Sequence, residues 1–213
     1  MMLPDVITAI SALDRRDKWL IVGKGPSFCD DVIGTYKKDG YRLCSLNNAF
    51  SASVHHFDLV VCNDVLPLEP FTKEVFNNVL VCIPVGIHRN LYPMVNRWDK
   101  LCKMTAIVQR LTGVLHGFNL DNLGCHVYDR PTITAHTSVS ESAVQLLALS
   151  GAKELSFIGV DGGVPYHPAF GVRTFVVDMV IQFQHLRKLR GNFPDVVFKG
   201  LPRGYGANSD EVL

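Results

Sequence analysis

Short apolar runs alternate along the chain with longer segments of mixed polarity. Trp19-Leu20-Ile21-Val22, Arg42-Leu43-Cys44-Ser45-Leu46, Asp58-Leu59-Val60-Val61-Cys62 and Val79-Leu80-Val81-Cys82-Ile83 each read as a strand. Near-continuous apolar runs of this length suit strands covered on both faces, as in a parallel sheet. Between the first two, residues 28–38 have helical spacing and stop near Gly40, a C-cap glycine. Residues 84–130 mix aromatics, prolines and scattered charge, with helical spacing only over 98–111, and an irregular insertion is expected there. Order returns at Ser138-Val139-Ser140-Glu141, a capping-box pattern followed by Ala143, Val144, Leu146, Leu147 and Leu149, with Gly151 closing the helix. Residues 155–160 form a strongly apolar strand. A helix over 172–190 follows, basic at its end (Arg187, Lys188, Arg190) as the helix dipole favours. Val196-Val197-Phe198 reads as a last strand, and residues 204–213 as a loose tail.

Strands alternating with helices predict a doubly wound α/β fold, a mostly parallel sheet with helices on both faces. A length of 213 residues fits one domain spanning the whole chain. With 47% hydrophobic residues, a packed core is expected rather than disorder. The 21 basic and 20 acidic side chains leave a formal charge of +1, which argues against sequence-independent nucleic-acid binding. The six cysteines form no CxxC pair, and Cys44, Cys62, Cys82 and Cys125 lie in or beside apolar runs, so a reducing, cytoplasmic setting is expected. No signal peptide or membrane-spanning run is read.

Ligands of doubly wound sheets sit beyond the carboxyl ends of the strands, so the residues there carry the functional reading. After the first strand comes Gly23-Lys24-Gly25-Pro26-Ser27. Glycines let a backbone turn sharply and approach a phosphate, and a following helix offers free N–H groups to the anion. The pattern is neither GxGxxG nor a Walker loop, and a plain tight turn is the alternative. Asn47-Asn48 and Asn63-Asp64 follow the next two strands; their amides suit a ribose or a base edge, and equally suit turns. Thr137 and Ser138 stand at a helix N-terminus, where hydroxyls cap the helix or reach a phosphate oxygen. After the late strand come Asp161-Gly162-Gly163 and then Tyr166-His167. His167 is a catalytic candidate because imidazole titrates near neutrality, against the alternative of a surface loop residue. His55, His56, His88, His116 and His126 show no metal-ligand spacing.

Taken in order, these landmarks carry a resemblance. Leu20-Ile21-Val22-Gly23-Lys24-Gly25-Pro26-Ser27 resembles the opening strand and GxGPS turn of two related groups. One is the bacterial sialyltransferases that modify lipooligosaccharide. The other is the MAF flagellin-glycosyltransferase and 6-hydroxymethylpterin pyrophosphokinase-like family. Cys44 to Asn48, Val60 to Asp64, and Thr137-Ser138 through Gly151-Ala152-Lys153-Glu154-Leu155 to Gly159-Val160-Asp161 continue it. It covers somewhat under half the chain. It implies a Rossmann-like, GT-A-related fold, a nucleotide-activated donor (CMP-sialic acid or a related nonulosonate) and a glycan or protein acceptor. Two departures stand out. Only Tyr166 falls in the loop where the sialyltransferases hold the phosphate with tyrosines, and His167 matches their base by position rather than by motif.

The expectation is thus a glycosyltransferase without a cofactor. Its nucleotide site comprises Gly23, Gly25, Pro26, Ser27, Asn47, Asn63, Thr137, Ser138, Asp161 and Tyr166, with His167 catalytic. Gly25→Asp is expected to abolish nucleotide binding without unfolding the domain. The alternatives are an ATP-dependent pyrophosphokinase-like enzyme, with Asp64 and Asp161 on Mg²⁺, and a non-catalytic nucleotide-binding module. Self-association is left open.

Overall fold

Among the described residues, eight strands form one sheet in which every pairing is parallel, in the order β6-β5-β4-β3-β2-β1-β7-β8. They are β1 (Lys18–Val22), β2 (Arg42–Leu46), β3 (Leu59–Val61), β4 (Leu80–Pro84), β5 (Leu115–Leu120), β6 (Thr132–Ile133), β7 (Glu154–Ile158) and β8 (Val197–Lys199). The helices are α1 (Val6–Ala12), α2 (Asp30–Lys38), α3 (Arg97–Arg110), α4 (Val139–Leu149) and α5 (Val180–Asn192). The computed structural model describes residues 6–13, 17–85, 97–120, 131–134, 138–161, 166–171 and 180–200.

Alternation along each strand builds two cores. Trp19, Ile21, Cys44, Leu46, Leu59, Val61 and Cys82 pack with α1, α4 and α5 on one face. Leu20, Val22 and Leu43 pack with Ile33 of α2 on the other, where Val60, Val81 and Ile83 meet Ile107 of α3 and Leu111. Helices therefore cover both faces of an all-parallel sheet, the Rossmann-like α/β arrangement.

Where boundaries differ from the sequence reading, local geometry explains the shift. β7 stops at Ile158 rather than continuing to residue 160, because Gly159 takes a φ of +66° and leaves the ladder. α2 begins at Asp30 rather than Phe28, since Cys29 is extended and Phe28 is buried in the core. The stretch 84–130 is not irregular throughout: α3 fills 97–110, and β5 pairs in register with β4. α5 occupies 180–192, and residues 172–179 of the expected helix lie outside the described residues, as does the tail.

The strand order fixes where a ligand crevice belongs. From β1 the chain steps outward through β2 to β6, then returns to place β7 and β8 on the other side of β1. The connections leave the carboxyl ends of β1 and β7 in opposite directions, the place where open α/β sheets take their ligands.

Candidate functional site

At that reversal the ends of β1 and β7 are locked together by backbone. Gly23 N donates to Ile158 O at 2.8 Å and Gly25 N to Gly159 O at 2.7 Å. In return Gly159 N donates to Ser27 Oγ at 2.8 Å. Ser27 N donates to Asp161 Oδ2, also at 2.8 Å. The chains are so close that side chains do not fit. A Cβ on Gly23 would lie 2.3 Å from Gly159 O, one on Gly159 2.4 Å from Gly23 O, and one on Gly25 2.3 Å from Asp161 Oδ2. The turn glycines therefore answer to β7, and the N–H groups expected to face a phosphate serve protein acceptors. Phe28 N is also engaged, on Gly25 O at 3.0 Å. Gly25→Asp would unseat the turn and is not the clean binding test that the sequence suggested. Pro26 is exposed beside it and, as proline, offers no N–H.

Both helix N-termini at this edge hold carboxylates of their own. Asp30 and Asp31 occupy the first turn of α2, complementing its dipole. At α4, Ser138 is the N-cap, and its N–H donates to Glu141 Oε1 at 3.1 Å, within the capping box read from the sequence. The Ser138 hydroxyl lies 2.7 Å from Ser140 Oγ and donates to Glu141 Oε1 at 3.2 Å. Glu141 is only 1% exposed, with His185 Nδ1 3.5 Å from it. Ser138 thus caps its helix. Thr137 lies outside the described residues.

The asparagines divide the work differently from the sequence reading. Asn47 takes a φ of +54°, a left-handed conformation that asparagine tolerates, and its N–H donates to Val61 O at 2.9 Å. Its part is to turn the chain after β2. The next residue reaches the crevice: Asn48 Oδ1 accepts a hydrogen bond from Lys24 Nζ at 3.0 Å. Asn63, at the end of β3, accepts the Ser142 hydroxyl of α4 on Oδ1 at 2.7 Å, which fixes the amide plane. Asp64 Oδ1 accepts the Leu66 N–H at 2.8 Å in a local turn.

Lys24 ties the crevice together. Its ammonium lies 4.8 Å from the centre of the Tyr166 ring, a cation–π contact, while its carbonyl accepts the His167 N–H at 2.8 Å. The loops after β1, β2 and β7 therefore converge on one side chain. Lys24 and Asn48 were in view in the sequence but were not assigned to the site; the signal available was a lysine inside a GxG turn at a strand's carboxyl end.

His167 packs against Phe28, ring centres 5.3 Å apart, and its Nδ1 accepts the Ala169 N–H at 3.2 Å. Assigned from that bond, the neutral ring carries its proton on Nε2, so the remaining nitrogen is a donor rather than a base. The geometry brings together Gly23, Gly25, Pro26, Ser27, Asp161, Tyr166 and His167, and joins Asn48 to them. Asn63 and Ser138 lie farther along the same edge, just after β3 and at the N-cap of the α4 that packs against it.

Among the described residues no three His, Cys, Asp or Glu side chains gather at metal-binding distance. Asp64 and Asp161, the pair considered for Mg²⁺, each accept a backbone N–H. No described helix is long and apolar enough to cross a membrane. No protein-family model matches the chain, and no curated protein matches it in sequence.

Proposed function

We propose that the protein is a cytoplasmic glycosyltransferase that takes a nucleotide-activated sugar, a CMP-linked nonulosonate foremost, in the crevice between β1 and β7. The observation that carries this reading is the convergence of Lys24, Asn48, Tyr166 and His167 at the point where the strand order reverses. An open α/β sheet offers its ligand crevice at that place. Cleaving a sugar–phosphate bond requires that charge growing on the departing phosphate be neutralised. The ammonium of Lys24, the Tyr166 hydroxyl and the His167 Nε2–H are the donors at hand. In this reading His167 gives a hydrogen bond from Nε2–H to the leaving phosphate, in keeping with its Nδ1 being engaged. The free thiols among the described residues support a reducing compartment.

Donor hydrolysis tests it, with CMP-nonulosonate and ATP each offered with Mg²⁺ or EDTA. Release of CMP in EDTA, with about a hundred-fold loss in His167→Ala, is expected. Activity on ATP alone, abolished by EDTA and by Asp161→Asn, would replace this reading with a pyrophosphokinase-like one. Binding of CMP without turnover of either donor would leave a nucleotide-binding module.

A further inference from the structure

Among the described residues, the loop after β7 contains one short 3₁₀ turn, Pro168–Phe170, and His167 is its N-cap. The backbone of that histidine is tied down where its N–H donates to Lys24 O at 2.8 Å. Its ring is held at Nδ1 by the Ala169 N–H at 3.2 Å. A single hydrogen bond leaves an imidazole free to pivot about the bond. A donor aimed at a leaving phosphate tolerates little of this, since a productive constellation is held to within about 0.5 Å and about 10–20°. A second contact is needed to fix the plane of the ring.

We infer that Phe28 is the positioning residue for His167, the side chain that fixes the imidazole plane so that Nε2–H keeps one direction. This rests on the reading above, in which His167 donates to the departing phosphate. The Phe28 and His167 ring centres are 5.3 Å apart, with the planes at 53°. Phe28 also meets Phe170 edge-on at 5.0 Å, so both ends of the 3₁₀ turn rest on the same ring. Phe28 itself has no freedom to follow a moving histidine. It is 5% exposed, within the cluster of Leu20, Val22, Ile33, Ala49 and Ile158, and its N–H donates to Gly25 O at 3.0 Å. Packing at the density of a protein interior holds such a side chain in one rotamer. The core on the α2 face thus reaches the imidazole through one aromatic ring. The loops after β1 and β7 are joined twice, by backbone at Lys24 and by ring at Phe28. An aliphatic side chain of similar volume would fill the cluster without offering the imidazole a flat aromatic partner.

The experiment compares wild type with Phe28→Leu, Phe28→Met and Ile33→Val, the last a control that thins the same cluster from α2. A thermal melt of each is the folding control, and Phe28→Met keeps most of the volume should Phe28→Leu fail to fold. Nitrogen NMR of labelled protein reads the His167 ring, assigned by the signal lost in His167→Ala. In wild type the two ring nitrogens should differ widely in shift, as one tautomer with its proton on Nε2 requires. In both Phe28 variants the two shifts should converge as tautomers mix, while Ile33→Val keeps the wild-type pattern. With CMP-nonulosonate, kcat should fall about ten-fold in the Phe28 variants with KM changed less than about two-fold, and Ile33→Val should match wild type. If the folded Phe28 variants keep the wild-type ring shifts and kcat, Phe28 only fills the core; the inference falls and the donor reading stands. A rise in KM with kcat and the ring shifts unchanged overturns it equally. If wild type releases no CMP, the donor reading falls and the spectra decide alone: convergence upholds the hold of Phe28 on the ring, and unchanged shifts overturn it.

Discussion

The same strands end in two ways. At the amino edge of β2, β1 and β7, charges meet opposite charges. Arg42 Nη1 lies 2.8 Å from Asp58 Oδ1, and Lys199 Nζ lies 2.8 Å from Glu154 Oε2, whose other oxygen accepts the Tyr41 hydroxyl. At the carboxyl edge of β1 and β7 the closure is backbone against backbone, and Lys24 rests on an amide oxygen and a ring. An ion pair gains little from a visiting anion, because its cation already has a counter-charge and would lose it. The edge sealed by long charged side chains is a structural seam. The edge sealed by glycine backbone gathers Lys24, Asn48, Tyr166 and His167 from three loops.

Breaking the glycine lock should give the largest effect. Gly159→Ala places a Cβ 2.4 Å from Gly23 O at a position whose φ is +66°, so neither the space nor the backbone permits it. A loss of more than about 4 kcal/mol is expected, measured by urea unfolding. Gly151→Ala is the control, since its φ of +96° is also positive but nothing lies within 4 Å of the added carbon. That change should cost about 1 kcal/mol. Equal costs at the two sites would show that the close approach of β1 and β7 contributes nothing.

Farther along the carboxyl edge, Ser142→Ala removes the donor to Asn63 Oδ1, which is 8% exposed. Leaving that oxygen without its partner should cost roughly 2 kcal/mol, because a buried acceptor keeps its desolvation penalty. Ser142→Gly would add a helix-propensity cost and confuse the comparison, so alanine is the informative choice.

Between the edges, burial pushes the Cys44, Cys62 and Cys82 thiols well above their usual value of 9.0; Cys62 and Asp58 add to this at Cys44, Cys44 and Cys62 at Cys82, and Asp64 at Cys62, where Lys24 acts the other way. Above that pH the unfolded chain loses protons that the folded chain keeps, so the unfolded state binds fewer. Stability is therefore whole below about pH 9 and falls as pH rises, by roughly 1.4 kcal/mol per thiol per unit. Each Cys→Ala change in turn should flatten the decline by one such increment. In the native protein a thiol reagent should modify the exposed Cys29 and Cys102 and spare these three. Rapid labelling of Cys62 would show that the sheet centre opens.

The strands read most easily from the sequence are those buried on both faces. β1 to β4 and β7 are near-continuous apolar runs, because neighbouring strands and two layers of helix leave them no solvent side. β5, second from the edge, is buried too, yet its Leu115-His116-Gly117-Phe118-Asn119-Leu120 breaks the run; Asn119 is 1% exposed, and its N–H is taken by Pro131 O. A buried polar residue satisfied by tertiary contacts has no local signature. The glycine turn was legible as a turn, but its reason was not, since Gly159 and Ser27 are 132 residues apart in sequence. Likewise the capping box of α4 could be read because its partners are three residues apart, whereas the Lys24–Asn48 bond joins two loops that only the sheet brings together.

The smallest effect should come from the amino edge. Lys199→Met removes an ammonium whose side chain is 53% exposed, while Glu154 beside it is 13% exposed. Holding a long side chain in place costs entropy, and water competes for the charge, so the pair should contribute less than about 1 kcal/mol. Glu154 keeps the Tyr41 hydroxyl, which limits the damage further. The loss should fade at high salt, because the screening length falls from about 10 Å at 0.1 M to about 3 Å at 1 M. The variant also tests the comparison between the edges. Lys199 and Lys24 are both partly exposed cations beside β7-linked strands, but they lie toward opposite ends of the sheet. If the ligand sits at the carboxyl edge, as proposed, Lys199→Met leaves CMP affinity unchanged while Lys24→Met lowers it. A fall in CMP affinity in Lys199→Met, with none in Lys24→Met, would move the site to the amino edge.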